Sequence, residues 1–261
     1  MWLPVGTALC GRYVLTGPLG LGGVSHVYRA VDTYTGAARA VKCLSLRVQR
    51  LPADADVLRR EALITTRLRH PNVPRLYDFG DAYLPNGSMV RFMVLELLRG
   101  ESLTAVMARQ TLLWWPDAIR VGGSVADVLA VAHRRGFTHR DLNTDNIMLT
   151  PNGVKIIDYG LAEPTDDGVS KANDVYALGV LLYQMLTGAS PYPTRSPGHP
   201  SYRPAPGSLA PAPVLNVPGL PRDLAELVRG CMDKKPQDRP TAREASITLW
   251  SLVPPIAAIG N

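Results

Sequence analysis

The feature that most constrains this fold is a change of pattern after residue 100. One amphipathic helix, Asp54–Arg69, stands among short strand-like runs before that point. The runs are Tyr13–Pro18, Ser25–Asp32 and Ala37–Leu44, followed by a hairpin of Arg75–Gly80 and Met89–Leu97 about Pro85-Asn86-Gly87. Beyond residue 100 the pattern is mainly helical. Strands followed by helices indicate an α+β protein in two parts.

The second part is predicted to contain long helices and one small hairpin. The predicted helices are Pro116–Arg135, Asn173–Thr187, Leu220–Met232 and Thr241–Leu252, and the hairpin strands are Ile147–Leu149 and Val154–Ile157. A proline-rich loop is expected at 194–221. We therefore expect a small antiparallel-sheet lobe with one helix at 11–98, and a larger, mainly helical lobe at 99–253. A hinge is expected at Leu97–Gly100.

Composition excludes several classes of protein. The 261 residues are 46% hydrophobic and 19% charged, which argues against a disordered or fibrous chain. The three cysteines are far apart, so neither a disulfide framework nor a zinc site is expected. The net charge of +6 is spread along the chain, and no apolar run reaches membrane-spanning length. We expect a cytoplasmic protein without a signal peptide that binds neither nucleic acid nor a membrane.

A glycine-rich turn lies between the first two long strands, at Leu19-Gly20-Leu21-Gly22-Gly23. Glycines allow the backbone to approach a ligand and leave N–H groups free for phosphate oxygens. A tight hairpin also needs glycine, so this turn alone does not decide between the two interpretations. Because a strand follows it rather than a helix, a Rossmann site or a P-loop is disfavoured.

Two charged residues fall on apolar faces. Lys42, one of only five lysines, shares a strand face with Ala38, Ala40 and Leu44. Glu61 lies on the apolar stripe of the predicted helix, in line with Val57, Ile64 and Leu68. Since a buried carboxylate needs a partner, an ion pair between Lys42 and Glu61 would satisfy both charges. The alternatives are an edge-strand lysine that reaches solvent and a glutamate that contacts a nearby arginine.

Two further segments carry candidate catalytic and metal-binding groups. In the loop His139-Arg140-Asp141-Leu142-Asn143-Thr144-Asp145-Asn146, the carboxylate of Asp141 can accept a hydroxyl proton and Asn146 can offer an oxygen to a metal. Asp158, in Asp158-Tyr159-Gly160, follows an apolar strand and suits a Mg²⁺ ligand on a turn. Any one of these residues could be an ordinary turn residue, but the whole set in this order is a highly specific sign of a catalytic and metal-binding site.

Together these motifs resemble the eukaryotic-type Ser/Thr protein kinases, particularly their bacterial members. The resemblance covers roughly Arg12–Leu252, and it implies a two-lobed kinase fold that uses ATP and Mg²⁺ or Mn²⁺. It also extends to two later segments, Asn173-Asp174-Val175-Tyr176-Ala177-Leu178-Gly179 and Lys235-Pro236-Gln237-Asp238-Arg239-Pro240.

The resemblance implies a role for each site residue. Lys42 would hold the α- and β-phosphates and pair with Glu61, and Asp141 would be the catalytic base. Asn146 and Asp158 would be the metal ligands. The remaining residues implied to bind ATP are Gly20, Gly22 and Ser25 in the phosphate-covering loop, Val27 and Ala40 over the adenine, and Glu96 and Leu98 through hinge backbone groups.

The chain also departs from the family pattern. Asn143 stands where Lys is usual, and its amide could bond the incoming hydroxyl and orient Asp141. Thr144 replaces Pro, and Tyr159 replaces Phe. Only residues 161–173 separate the metal-binding turn from the next helix, without an Ala-Pro-Glu triplet, so the usual partner of Arg239 is absent. A peptide-docking platform is therefore reduced.

Three functions are open on this basis. The first is transfer of the γ-phosphoryl group of ATP to a Ser or Thr hydroxyl of a protein. The second is phosphorylation of a small hydroxyl compound, which the reduced platform and Asn143 favour. The third is a nucleotide-binding pseudokinase that acts as a regulatory module. Retention of Lys42, Glu61, Asp141, Asn146 and Asp158 argues against this last function.

Overall fold

The computed structural model describes residues 2–21, 25–45, 52–159, 162–164, 167–192 and 212–254. The chain divides into two compact units. The first comprises Met1–Arg99 with Asp158–Leu161, and the second comprises Gly100–Ile157 with Ala162–Asn261. The backbone therefore passes from one unit to the other inside the segment expected to be a hinge.

The first unit is built on a six-stranded antiparallel sheet of order β1-β2-β3-β4-β6-β5. The strands are β1 (Ala8–Leu9), β2 (Tyr13–Leu21), β3 (Ser25–Asp32), β4 (Ala38–Leu44), β5 (Leu76–Tyr83) and β6 (Met89–Glu96). Helix α1 (Pro52–Leu68) lies between β4 and β5 in the chain. Strand β4 is central in the sheet, and its last five residues are all buried.

The two faces of β4 belong to two different apolar clusters. Val41 and Cys43 point into a cluster that also contains Tyr13, Tyr28 and Phe92. On the other face, Leu44 packs with Leu58 and Ala62 of α1 and with Met93 of β6. The face that carries Lys42 is thus the face covered by α1.

The first unit begins earlier than the expected boundary at residue 11. Strand β1 pairs with β2, and Leu3 and Leu9 are buried in the same cluster as Tyr13. The backbone N–H of Leu3 also donates to the hydroxyl of Tyr28 at 2.7 Å. This segment lacks a clear strand period, so its burial follows from tertiary packing rather than local pattern.

The second unit contains the remaining helices and small sheets. The helices are α2 (Leu103–Gln110), α3 (Trp115–Arg134), α4 (Gly168–Thr187), α5 (Arg222–Cys231) and α6 (Ala242–Ser251). The strands are β7 (Glu101–Ser102), β8 (Phe137–Thr138), β9 (Ile147–Thr150), β10 (Gly153–Ile156) and β11 (Glu163–Pro164), in sheets of order β10-β9-β7 and β11-β8.

Helix α3 packs closely against its neighbours through two glycines. A Cβ on Gly122 would lie 2.6 Å from Leu182 Cδ2 of α4. A Cβ on Gly123 would lie 2.8 Å from Trp250 Cε2 of α6. The glycine pair therefore permits a close approach that alanine would obstruct.

Helix α4 begins at Gly168, five residues before the predicted start at Asn173. Its N-cap is Asp167, whose carboxylate accepts the backbone N–H groups of Val169 and Ser170. The predicted start was wrong because the repeating apolar pattern covers only the buried part of the helix. As a result, residues 159–167, nine in all, connect Asp158 to α4.

Several short elements were not predicted. Helix α2 was missed although Ser102 is its N-cap and accepts the N–H of Ala105. The two-residue strands are too short to show a period. Of the proline-rich segment, residues 212–221 are described and form neither helix nor strand, while 193–211 lie outside the described residues. Within the described ranges, no helix has both the length and the apolarity that a bilayer crossing requires.

Candidate active site

Strand pairing places three predicted residues on one face of the sheet. Val27 of β3 is paired directly with Lys42 of β4, and Ala40 lies two residues before Lys42 on the same strand. Met93 of β6 pairs with Lys42 on its other side. Because paired residues and residues two apart share a face, Val27, Ala40 and Lys42 form one surface of this unit.

Lys42 is the centre of a buried ionic cluster. Its Nζ donates to Glu61 Oε1 at 2.8 Å and Oε2 at 2.7 Å, and to Asp158 Oδ1 at 3.0 Å. Lys42 is 8% exposed and Glu61 is 3% exposed, so the ion pair is almost completely excluded from solvent. The structure thus forms the ion pair that the sequence predicted, and it adds Asp158 as a second partner.

Electrostatics keep Lys42 charged. Burial alone would lower the pKa of Lys42, but the charges of Glu61 and Asp158 outweigh it and raise that pKa. Burial also raises the pKa of Glu61, against the opposing charge of Lys42, and the nearby Asp158 adds to the increase. One cation shared by two acids therefore leaves the cluster with an excess of acceptor groups around Lys42.

Asp158 differs from its partners in being half-exposed. Its side chain is 46% exposed, and its backbone has a φ of 63°, in the left-handed region that is uncommon outside glycine. Tyr159, which follows, is buried and donates its backbone N–H to Glu61. This arrangement holds the Asp158 carboxylate between Lys42 and solvent.

The glycine-rich turn is partly described. Gly20 pairs with Val27 across β2 and β3, and a Cβ built on Gly20 would meet nothing within 4 Å. Its φ is not positive either, so neither packing nor backbone conformation requires glycine there. The absence of a side chain at Gly20 would instead allow a ligand to approach the backbone closely. Ser25 begins β3, whereas Gly22 lies outside the described residues.

The predicted hinge residues lie at the end of β6. The backbone N–H of Glu96 donates to Arg75 O at 2.8 Å, and its carboxylate accepts the N–H of Arg75 at 3.2 Å. These bonds fix the last residue of the strand. Leu98 follows in irregular backbone.

In the second unit, the loop that contains Asp141 is anchored by Asp174 of α4. Asp174 is 2% exposed, and its two oxygens accept the backbone N–H groups of His139 at 2.8 Å and Arg140 at 2.9 Å. His133 of α3 also contacts Asp174 Oδ2, at 2.9 Å. Asp174 is not among the predicted site residues, although a carboxylate among the apolar residues of its helix could have indicated it.

Asp141 and Asn146 are joined within this loop. The side-chain nitrogen of Asn146 donates to Asp141 O at 2.8 Å and to Asp141 Oδ2 at 3.2 Å. The backbone N–H of Asp141 in turn donates to His139 Nδ1 at 3.3 Å. Asp141 is half-buried and Asn146 is 8% exposed. The proposed base and the proposed metal ligand therefore share one network.

Asn143 lies between them and is engaged by its own loop. Its Oδ1 accepts the backbone N–H groups of Asp145 at 2.9 Å and Asn146 at 3.2 Å, and its Nδ2 donates to Asp141 O at 3.1 Å. Both ends of the amide thus bind the backbone of the loop, and bonding of an incoming hydroxyl by Asn143 stays a prediction.

Arg140 lies close to an acidic residue at the start of α4. The pKa of Asp167 is lowered mainly by the backbone N–H of Val169 and the side chain of Ser170, and the positive charge of Arg140 adds to the effect. The carboxylate of Asp167 thus supplies an opposite charge for Arg140 within the second unit. Thr165 and Asp166 lie outside the described residues.

Arg239, whose usual partner is absent, binds residues of α4 and the segment before residue 239. Arg239 is buried, and its guanidinium donates to Ala172 O at 2.9 Å, Asn173 Oδ1 at 3.2 Å and Asp233 O at 2.7 Å. It also lies 4.8 Å from the ring centre of Tyr176. Backbone carbonyls and an aromatic face thus take the place of a glutamate.

Comparison with known proteins identifies the family. A family model described as "Protein kinase domain" matches residues 13–173, which is more than half of the chain. A second, described as "Protein tyrosine and serine/threonine kinase", matches residues 165–249. The chain belongs to the protein kinase family, and its sheet-based and helical units form the two-lobed fold of that family.

The curated relatives are bacterial serine/threonine-protein kinases. PknA of Mycobacterium tuberculosis (strain H37Rv) is 30% identical over 260 residues, covering 90% of this chain and 59% of the relative. PknH of Mycobacterium bovis is 31% identical over 257 residues, covering 89% and 42%. The probable kinase PknB of Corynebacterium glutamicum is 29% identical over 282 residues, covering 94% and 42%. The chain thus spans three-fifths or less of these relatives.

Each unit contains an oxygen group of the kind that binds a divalent cation. The nitrogen of Asn146 is committed to Asp141, which leaves its amide oxygen for a metal, and the Asp158 carboxylate reaches solvent. Oxygen ligands of this kind suit Mg²⁺. Among the described residues, no group of three or more His, Cys, Asp or Glu could hold a metal.

Proposed function

We propose that this chain transfers the γ-phosphoryl group of ATP to a Ser or Thr hydroxyl of a protein. The family match and the named activity of the relatives support ATP-dependent phosphotransfer to protein. Mg²⁺, or Mn²⁺ in its place, and a cytoplasmic location belong to the same proposal.

The observation that carries the proposal is the ionic cluster around Lys42. A lysine that is 8% exposed, remains charged and binds two carboxylates is costly to bury. Two apolar residues of similar volume would fill such a site at lower cost. A cation fixed beside a half-exposed carboxylate is instead suited to binding phosphate oxygens.

Each residue then has a chemical role. Lys42 binds phosphate oxygens, and Glu61 holds Lys42 in position. Asp141 accepts the proton of the substrate hydroxyl, while Asn146 orients Asp141 through the hydrogen bond to its Oδ2. Asn146 and Asp158 are the chain's oxygen ligands for the cation, which when bound neutralises charge on the phosphate groups. Gly20, Gly22 and Ser25 cover the phosphates, Val27 and Ala40 contact the adenine, and Glu96 and Leu98 bond it through their backbone.

A second candidate is a kinase of small hydroxyl compounds. One observation favours it: nine residues connect Asp158 to α4, and the last of them caps that helix. So short a connection leaves little chain on which an extended peptide could dock. We keep protein as the first substrate class because every relative named above is a protein kinase.

The test is incubation with γ-labelled ATP and Mg²⁺, with and without a generic protein substrate. Asp141→Asn and the neighbouring Asp145→Asn are the paired variants. We expect label on Ser or Thr of protein, lost in Asp141→Asn and retained in Asp145→Asn. Consumption of ATP without label on protein would favour the small-molecule kinase. Binding of ATP without any turnover would indicate a pseudokinase and contradict the proposal.

A further inference from the structure

The turn after Asp141 is a single 3-10 helix, Thr144–Asn146, and Asn143 is its N-cap. Asn143 has extended backbone, with φ of −153° and ψ of 174°, as an N-cap residue requires. Its side-chain oxygen accepts the N–H groups of Asp145 and Asn146. The N–H of Asp145 is a donor of the kind that a helix start leaves without a backbone partner, whereas the N–H of Asn146 also donates to Asn143 O at 3.2 Å.

The same amide also binds the residue before the turn. Asn143 Nδ2 donates to Asp141 O at 3.1 Å, and Asn146 Nδ2 donates to that carbonyl at 2.8 Å. One side chain therefore connects the backbone of the proposed base to the backbone of the proposed metal ligand. Lysine could donate to the carbonyl, but it has no acceptor for the two N–H groups.

A second contact fixes the turn from outside. The hydroxyls of Thr144 and Thr104 of α2 are 2.7 Å apart. This bond orients the first residue of the turn, whereas Asn143 orients the last one. The position of the Asn146 side chain thus depends on the cap at one end and on α2 at the other.

We propose that Asn143 is a positioning residue for the metal ligand Asn146, and that it acts by capping the turn rather than by contacting substrate. This inference rests on the proposed function, because it assigns Asn146 to the metal. It changes the expectation for lysine at this position. Added charge near the reacting phosphoryl group would favour catalysis, but loss of the cap would displace the ligand that holds the cation.

The experiment compares Asn143→Ala, Asn143→Lys and the cap-forming Asn143→Ser. Asn152→Ala, at an exposed turn of the same unit, is the control. Two quantities are measured on folded protein: amide hydrogen exchange at residues 145 and 146, and the dissociation constant of Mn²⁺ in the presence of adenylyl imidodiphosphate. Neither measurement requires turnover.

We expect Asn143→Ala and Asn143→Lys to exchange faster, most of all at residue 145, because the N–H of residue 146 keeps its bond to the carbonyl of residue 143. Both variants should bind Mn²⁺ about fivefold more weakly, as the loss of one N-cap predicts. Asn143→Ser should stay within about twofold of wild type in both, because serine ranks with asparagine as a cap. Asn152→Ala should change neither.

Three results would overturn the inference. Unchanged exchange in Asn143→Ala would mean that the cap does not hold the turn. Faster exchange with unchanged Mn²⁺ affinity would mean that the turn does not govern the ligand, and tighter binding by Asn143→Lys would show that charge matters more than the cap. If wild type binds Mn²⁺ as expected but transfers no phosphoryl group, the proposed function fails while the role of Asn143 stands.

Discussion

The two units organise their candidate catalytic groups by different physical means. In the first unit, one buried cation is held by two carboxylates, Glu61 and Asp158, at 2.7–3.0 Å. In the second, Asp141 and Asn146 are held by amide groups and backbone N–H donors, with the buried Asp174 as anchor. The first arrangement depends on attraction between opposite charges, and the second depends on the direction of hydrogen bonds.

This difference predicts different responses to substitution. Removal of one member of a buried charge cluster leaves another charge without its partner, so losses should be large and should not add. Removal of one hydrogen bond from the loop should shift geometry by a smaller amount and leave the remaining bonds in place. Substitutions of different expected severity separate the loss of a functional or buried charge from the loss of one hydrogen bond.

The largest effect is expected from Asp141→Asn. An amide cannot accept the hydroxyl proton, so kcat should fall by about 10³-fold, within the range of general-base catalysis. Thermal unfolding should change little, since Asn keeps the size of the side chain. Asp145→Asn, in the same turn, should retain most activity. Equal losses in the two variants would mean that this loop needs acidic charge in general rather than one base.

A smaller effect is expected from Asp174→Asn. In this variant an NH₂ group replaces one carboxylate oxygen of Asp174. Because NH₂ cannot accept the backbone N–H that this oxygen accepts, one charge-assisted hydrogen bond is lost. Such a bond contributes about 1.5–3 kcal/mol, and urea unfolding should show a loss of this size.

The turnover of Asp174→Asn should also fall, by about tenfold, because the loop of Asp141 loses its anchor. Asp117→Asn, on the exposed start of α3, is the control. Full activity with reduced stability would show that Asp174 supports the fold without orienting the base.

The smallest effect is expected at a second ion pair of the first unit, away from the candidate site. Arg12 binds Asp32 through two hydrogen bonds of 2.7 and 2.9 Å. This bond, together with those from Thr35 and Tyr34, lowers the pKa of Asp32 below its usual 3.8. Between the two pKa values the unfolded chain binds more protons than the folded chain, so the stabilising contribution is complete above pH 3.8 and decreases as the pH falls.

Urea unfolding of wild type and Asp32→Asn over a range of pH measures this contribution. The difference in free energy of unfolding should be greatest near pH 7 and should shrink below pH 3.8. A difference that does not vary with pH would mean that the charge of Asp32 has no part in stability.

The sequence predicted most of the first unit because its signals are local and periodic. Strand β3 has the predicted bounds, and the face of Lys42 followed from a period of two. The pairing with Glu61 followed from the cost of burying a lone carboxylate. These arguments need only neighbouring residues and a general energetic rule.

The sequence did not predict features that depend on contacts distant along the chain. Burial of Leu3 and anchoring of the loop by Asp174, 33 residues after Asp141, are both tertiary effects. At Asn143 the sequence comparison drew attention to the missing charge of lysine, whereas the structure shows the side-chain oxygen accepting two backbone N–H groups. At Asn143, as at Asp167 and Ser102, the residue type could have indicated a helix N-cap, and the prediction did not use it.

The claim that ion pairing organises the first unit's site is tested most directly by a double-mutant cycle on Lys42 and Glu61. The quantity is kcat/KM for ATP in wild type, Lys42→Met, Glu61→Gln and the double variant, with exposed Lys235→Met as control. We predict that each single change lowers kcat/KM by about 10²-fold or more and that the double variant loses little further, because the residues act as a unit. Losses that multiply across the two positions would contradict the account.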